Sequence, residues 1–214
     1  MAGIQGEAAG PVYPKIPTVW KRNRDTGKIR LGDYAMPELE YLHQNVWWFF
    51  EKIDGTNIRL HWDGEQVLIG GRTNNAQIPA PLHTWLMENI PPADVWRTKF
   101  DGPVTVYGEG FGRGIQSGNA YGDTRFIVFD VLIEHWWLHW DDVVEVAGFL
   151  GFETVPFLGE ASIGKAVHNV SHGLVESRWP LVKPEGLVGR TRVELQTRSG
   201  QRLLVKIKSV DYTQ

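Results

Sequence analysis

The chain has 214 residues, of which 42% are hydrophobic and 22% are charged, and its formal net charge is −3. This length is enough for a substantial hydrophobic core. Cysteine is absent, which excludes disulfide bonds, a thiolate nucleophile and cysteine-ligated zinc. No stretch approaches the roughly 18 apolar residues of a membrane span, and the first residues carry no signal pattern, so we expect a cytoplasmic protein with no membrane partner.

Alternating apolar runs predict a series of strands, which in chain order are residues 47–53, 57–62, 66–70, 104–108, 125–133, 186–192 and 202–207. The dipeptide Asp63-Gly64 predicts a hairpin between the second and third strands. Apolar residues at helical spacing predict helices at 81–88, 141–150 and 162–170. Because strands and helices do not alternate regularly, we predict one α+β domain over residues 1–214 with mainly antiparallel sheets. We expect the small and polar residues 1–11 to be disordered.

Positive charge is concentrated in two segments of this acidic chain, although no global field would draw it to nucleic acid. One segment lies near the N-terminus and the other near the C-terminus. Their basic residues are Lys15, Lys21, Arg22, Arg24, Lys28 and Arg30, and Arg190, Arg192, Arg198, Arg202, Lys206 and Lys208. Contacts with a polynucleotide would have to come from these segments.

Lys52 is the most informative candidate residue. It lies in the string Glu51-Lys52-Ile53-Asp54-Gly55-Thr56-Asn57, between two predicted strands at the edge of a pocket. An amine in that position can lose its proton and attack phosphorus. Taken alone, the tetrapeptide from Lys52 to Gly55 is weak evidence and favours a solvated surface lysine by about three to one.

Further charged or aromatic residues stand at the ends of the predicted strands downstream. They are Arg72, Glu109, Phe129, Glu185, Lys206 and Lys208. Each also has a simpler interpretation. Arg72 would be a surface arginine at the end of a hairpin, and Glu109 and Glu185 would be loop carboxylates. Phe129 would be a core aromatic, and Lys206 and Lys208 would lie on a solvated strand edge. Phe126 alternates in the same predicted strand as Phe129, so spacing does not choose between these two aromatics.

In this order, the motifs resemble those of the covalent nucleotidyltransferase superfamily of polynucleotide ligases and RNA capping enzymes. Within that superfamily the chain is most similar to the ATP-dependent RNA ligases of the phage and editing-ligase type. Thr56-Asn57 after the nucleophile motif, the glycine-rich segment 108–116 and the upstream segment 14–20 carry this resemblance. It covers roughly residues 12 to 210, nearly the whole chain.

The resemblance implies an antiparallel-sheet-rich, ATP-grasp-like adenylyltransferase fold, and a ligase that uses ATP with Mg²⁺ or Mn²⁺. Lys52 would form lysyl-AMP, AMP would pass to an RNA 5′-phosphate, and a 3′-hydroxyl would seal the strand. The alternatives are a DNA ligase, a GTP-using capping guanylyltransferase and a non-catalytic nucleotide-binding module. Many relatives continue into a C-terminal domain, such as an OB fold, which we expect to be missing because six residues follow Lys208. A bacterial or phage-infected cell would be the host.

The resemblance also implies roles for individual residues. Lys52 is the implied nucleophile, and Lys206 and Lys208 are the implied catalytic lysines. Because these two alternate along a strand, they share one face, where their charges would favour a neutral Lys52 and bind phosphates. The implied nucleotide-binding residues are Glu51, Ile53, Asn57, Arg72 (for a ribose or 5′-phosphate), Glu109, Phe129 (for base stacking) and Glu185. Glu109 and Glu185 are also implied metal ligands, through water.

Overall fold

The computed structural model describes residues 9–116 and 118–213. The chain divides into two compact units. The first unit contains the chain up to Pro14 together with Asp54–Val155. The second unit contains Lys15–Ile53 together with Pro156–Gln214. The predicted single domain and the expected lack of a C-terminal domain stay predictions. Most of the segment predicted to be disordered, residues 1–8, lies outside the described residues, whereas Ala9 is buried.

The secondary structure is sheet-rich and mixed. In chain order the elements are β1 (Trp20–Arg22), β2 (Ile29–Tyr34), α1 (Pro37–Tyr41), β3 (Trp47–Lys52), β4 (Thr56–Trp62), β5 (Val67–Gly71), α2 (Ala80–Asn89), α3 (Ala93–Lys99), β6 (Val104–Phe111), β7 (Arg125–Ile133), β8 (Trp136–Trp137), α4 (Trp140–Phe149), β9 (Glu153–Thr154), β10 (Phe157–Ala161), α5 (Ile163–Ser171), β11 (Gly186–Thr191) and β12 (Leu204–Lys208). Within the described part of the chain, no helix has the length and apolar character needed to cross a membrane.

The first unit is built on a sheet with the strand order β5-β4-β6-β7-β8, all antiparallel, and β9 pairs with β7 in parallel. Alternation along β4 puts Ile58, Leu60 and Trp62 into a core that α2, α3 and α4 cover. Arg59 therefore faces the opposite side of the sheet. The Asp63-Gly64 hairpin forms as predicted, with the Asp63 carboxylate accepting hydrogen bonds from the backbone N–H groups of Glu65 and Gln66.

The second unit is built on an antiparallel sheet with the order β10-β3-β11-β12, and β1 and β2 form a separate hairpin. Trp47 and Phe49 of β3 pack with α5 in its core. Helix α5 begins after Ser162, whose hydroxyl accepts a hydrogen bond from the Lys165 N–H at 3.2 Å. Glu51, two residues after Phe49 in β3, faces the same side of the sheet. Lys52 faces the other side.

The predicted α+β class with mainly antiparallel sheets is confirmed, and each predicted strand and helix has a counterpart within about three residues. The elements without a prediction are β1, β2, β8, β9, β10, α1 and α3. They are short, and the edge strand β10 shows no apolar alternation that periodicity could detect. Trp47, Trp62 and Trp96 are fully buried in the cores of the two units.

Candidate active site

Lys52 is the last residue of β3, and strand pairing places Lys208 in the same row of the second unit's sheet. Gly186 of β11 pairs with Lys52 on one side and with Lys208 on the other. Two strand spacings separate the Cα atoms of the two lysines, about 10 Å. Gly186 has a φ of +152°, and a Cβ on it would lie 1.9 Å from the Ile207 carbonyl oxygen. The middle of the row therefore has to be glycine.

Glu185 bridges the two lysines. Its Oε2 lies 2.6 Å from Lys52 Nζ, and its Oε1 lies 2.8 Å from Lys208 Nζ. Burial opposes ionisation of Glu185, but the charges and hydrogen bonds of Lys52 and Lys208 outweigh it and hold the pKa of the carboxyl below its ordinary value. The structure thus brings together three predicted site residues in one charged cluster, with one carboxylate between two ammonium groups.

Lys206 lies two residues before Lys208 on β12, so both share a face of the strand as predicted. In the sheet it pairs with Val188, which also pairs with Phe50, so it lies two rows away from Lys52. Its backbone N–H donates to the Pro17 carbonyl at 2.9 Å, which fastens the strand to the upstream segment. The positions are consistent with positive charge on the face that carries Lys52.

Glu51 and Ile53 flank Lys52 and are both buried. The Glu51 carboxylate accepts a hydrogen bond of 2.6 Å from the Ser177 hydroxyl and one of 3.0 Å from the Arg178 N–H. These contacts anchor the segment after α5 to the strand of Lys52. The predicted role of Glu51 and Ile53 in nucleotide binding stays a prediction.

In the first unit, Asn57 of β4 and Glu109 of β6 are direct cross-strand partners. Gly55 lets these strands approach, because a Cβ there would lie 2.3 Å from the Gly110 carbonyl oxygen and 2.9 Å from Glu109 Cγ. Within the described residues, the buried Oδ1 of Asn57 has no hydrogen-bond partner. A buried acceptor without a partner is costly, so this atom is suited to accept a hydrogen bond from a ligand.

Arg72 is exposed in the turn that follows β5. Arg59, a fully buried residue of β4, holds this turn: its Nε donates to the Gly71 carbonyl at 2.9 Å, and its Nη2 donates to Asn74 Oδ1 at 3.0 Å. Burial lowers the pKa of the Arg59 guanidinium. Sequence reasoning missed Arg59, because a charged residue between Ile58 and Leu60 is also what a half-exposed strand shows.

Phe129 and Phe126, which spacing left undecided, have different environments. Phe126 is buried in the hydrophobic core of the first unit, whereas Phe129 is only partly buried. Tyr107 pairs with Asp130 and Gly108 pairs with Val128, so Phe129 is the extra residue of a β-bulge. Alternation with Phe126 and Val128, which both lie in the core, puts Phe129 on the other face of the strand, and the bulge leaves it without a cross-strand partner.

The candidate residues do not form a metal cage. Within residues 9–116 and 118–213, no group of three or more His, Asp or Glu side chains could hold a metal ion. Mg²⁺ is usually held by one or two carboxylates together with water and substrate phosphates. Glu109 and Glu185 therefore stay candidate ligands, each within its own unit.

Solved structures of Naegleria gruberi RNA ligase are similar to this chain. A lysine-to-alanine mutant with ATP and Mn is 15% identical over 94% of this chain and 61% of that chain, with a TM-score of 0.64. The ligase with PPi is 17% identical over 99% and 62%, with a TM-score of 0.64. A lysine-to-methionine mutant with AMP and Mn is 15% identical over 99% and 62%, also at 0.64. The chain spans about three fifths of the length of these ligases.

These similarities confirm the predicted nucleotidyltransferase fold, and at such low identity they establish the fold alone. No curated protein sequence matches the chain significantly. The sequence profile described as RNA ligase, however, matches residues 45–208, which is well over half of the 214 residues and includes the segment from Lys52 to Lys208. The chain belongs to the RNA ligase family.

Proposed function

We propose that this protein is an ATP-dependent RNA ligase that works through a lysyl-AMP intermediate on Lys52. The observation that carries the proposal is the cluster of Lys52, Glu185 and Lys208 at the end of β3, inside the segment that matches the RNA ligase family. Similar ligases were solved with ATP, AMP, PPi and Mn, which supports ATP and a divalent metal here.

The proposed reaction begins with Lys52. Its Nζ attacks the α-phosphorus of ATP, an N–P bond forms, the bond from the α-phosphorus to the pyrophosphate oxygen breaks, and Nζ loses its proton. AMP then passes from Nζ to the 5′-phosphate of an RNA strand. A 3′-hydroxyl finally attacks that activated 5′ end, forms the phosphodiester and releases AMP.

The ion pair between Glu185 and Lys52 has to break before the attack. Lys52 Nζ lies 2.6 Å from this carboxylate, and its lone pair has to be available to phosphorus for the attack. Lys208 and Lys206 lie on the same strand face and would take up the negative charge of the phosphates once Glu185 is released. A divalent cation bound by Glu185 or Glu109 would supply further neutralisation of phosphate charge.

In the first unit we assign the other nucleotide contacts. Arg72 presents an exposed guanidinium for a ribose or a 5′-phosphate, and Phe129 presents a partly exposed ring for base stacking. The buried Asn57 Oδ1 without a partner within the described chain would accept a hydrogen bond from the nucleotide. The preferred substrate that we propose is RNA with 5′-phosphate and 3′-hydroxyl ends.

The first test is covalent labelling with ATP radiolabelled at the α-phosphate, in the presence of Mg²⁺ or Mn²⁺. The wild-type protein should be labelled, acid should release the AMP because a phosphoramide is acid-labile, and Lys52→Ala should abolish labelling. Lys99→Ala is a matched control, since Lys99 also pairs with a glutamate, Glu145, but on an exposed surface. A labelled Lys52→Ala protein would disprove the assignment of the nucleophile.

The second test compares substrates. Labelled GTP in place of ATP separates a ligase from a capping guanylyltransferase. A panel of 5′-phosphorylated RNA and DNA strands, nicked and single-stranded, separates an RNA ligase from a DNA ligase. A wild-type protein that takes up no covalent nucleotide with either metal would instead be a non-catalytic binding module, and the proposed function would be abandoned.

A further inference from the structure

The chain just before Pro14 is fastened to the side of the first unit's sheet that faces away from the hydrophobic core. The carbonyl of Gly10 accepts a hydrogen bond of 2.5 Å from Arg59 Nη1, and the carbonyl of Pro11 accepts one of 2.8 Å from the Tyr107 hydroxyl. Ala9 is buried. We call residues 9–14 the N-terminal segment. It is held by side chains of two adjacent strands, β4 and β6.

Tyr13 connects this segment to the bulge in β7. Its hydroxyl donates a hydrogen bond of 2.8 Å to Asp130 Oδ2, and Asp130 is almost completely buried. Its ring lies 5.0 Å from the Phe129 ring at an interplanar angle of 73°, an edge-to-face contact. The Tyr13 ring also contacts the rings of Tyr107 and Trp137, with centroid distances of 5.0 and 5.5 Å.

The bulge makes these contacts important for Phe129. A regular strand residue is placed by its cross-strand partner, but Phe129 has none, because Asp130 pairs with Tyr107 and Val128 pairs with Gly108. Tyr13 contacts both bulge residues, Phe129 through its ring and Asp130 through its hydroxyl. The orientation of the Phe129 ring therefore depends on a residue more than a hundred positions earlier in the chain.

We infer that Tyr13 is a positioning residue for the nucleobase: it supports Phe129 at the bulge of β7 so that the Phe129 ring is held ready to stack on the base of the bound nucleotide. This inference rests on the proposed function, which assigns Phe129 to base stacking. It adds a residue outside every motif of the site, and it predicts that the N-terminal segment contributes to recognition of the base while leaving phosphate binding unchanged.

The test measures equilibrium binding by calorimetry in the Lys52→Ala background, where no covalent AMP forms. Tyr13→Ala should weaken ATP binding by about two- to tenfold, the range that a lost aromatic pair commonly accounts for. Inorganic tripolyphosphate, which has no base, should bind equally well with and without Tyr13→Ala. Tyr13→Phe retains the ring contact with Phe129 and should restore most of the ATP affinity.

Tyr41→Ala is the matched control, because Tyr41 is exposed and belongs to the second unit. It should leave both affinities unchanged. If Tyr13→Ala does not fold, Tyr13→Leu retains apolar bulk and replaces it in the same comparison. Unchanged ATP affinity, or an equal loss for ATP and tripolyphosphate, would overturn the inference. The proposed function fails by a different result, the absence of covalent AMP on the wild-type protein.

Discussion

Replacing Glu185 by glutamine removes the charge that joins Lys52 to Lys208 and changes little else in shape. In the folded protein the two lysines keep their positions at the ends of β3 and β12, so two ammonium groups then face each other without a carboxylate between them. Both ion pairs are lost at once, and the mutual repulsion of the lysines is no longer offset. We expect Glu185→Gln to lower the free energy of unfolding at pH 7.

The size of this effect follows from how far the cluster is buried. Exposed ion pairs contribute about 0–1 kcal/mol, whereas breaking a buried pair costs about 3–5 kcal/mol. The side chains of Glu185, Lys52 and Lys208 are 20, 23 and 31% exposed, which places both pairs between these limits. We expect a loss of about 2 kcal/mol for the two pairs together. For a chain of this length, that loss lowers the melting temperature by about 4–8 °C.

The pH dependence has a definite sign. Burial disfavours the charged form of Glu185, but the two lysines more than compensate, so its pKa in the folded protein is lower than the ordinary 4.5. The stabilisation is therefore complete above pH 4.5 and is lost as the pH falls through the lowered pKa. The difference between the wild type and Glu185→Gln should stay constant from neutral pH to about pH 5 and disappear in acid.

The assay is urea unfolding at a series of pH values, with Glu145→Gln as the matched control. Glu145 also accepts a short hydrogen bond from a lysine, Lys99, but its side chain is 66% exposed, so its loss should have no measurable effect. If Glu185→Gln is as stable as Glu145→Gln at pH 7, the bridge between Lys52 and Lys208 does not hold in solution. If the stability difference between the wild type and Glu185→Gln persists unchanged in strong acid, the stabilisation by Glu185 is not electrostatic.

Two other changes test the fold of the two units. Gly186→Ala should lower the free energy of unfolding by about 2–4 kcal/mol, because its Cβ would meet the backbone oxygen of Ile207. Gly164→Ala in α5 is the control, because a Cβ there has open space and should not destabilise the protein. Equal melting temperatures for the two variants would contradict the close approach at Gly186. Burial lowers the pKa of His61 below 6.5, so the folded state resists its protonation and stability should fall as the pH drops below 6.5. His61→Asn should reduce that decline in thermal unfolding between pH 7 and 5, and an unchanged slope would show that His61 does not cause it.

Local pattern was enough to predict most of the elements. The alternation of Ile58, Leu60 and Trp62 predicts β4 because a strand that covers a core on one side must repeat with a period of two. The Asp63-Gly64 turn predicts the hairpin because few residues accept positive φ. The Lys52 to Gly55 motif was visible because its residues are adjacent in the chain.

Tertiary structure decided which residues meet. Glu185 lies 133 residues after Lys52, and only the order of strands β3, β11 and β12 brings its carboxylate between two lysines. The sequence alone determined that β7 is an apolar strand containing Phe126 and Phe129. It could not determine that Phe129 lacks a cross-strand partner, because a bulge depends on how the partner strand β6 pairs. Nor could it determine the contact with Tyr13, which depends on a segment more than a hundred residues away.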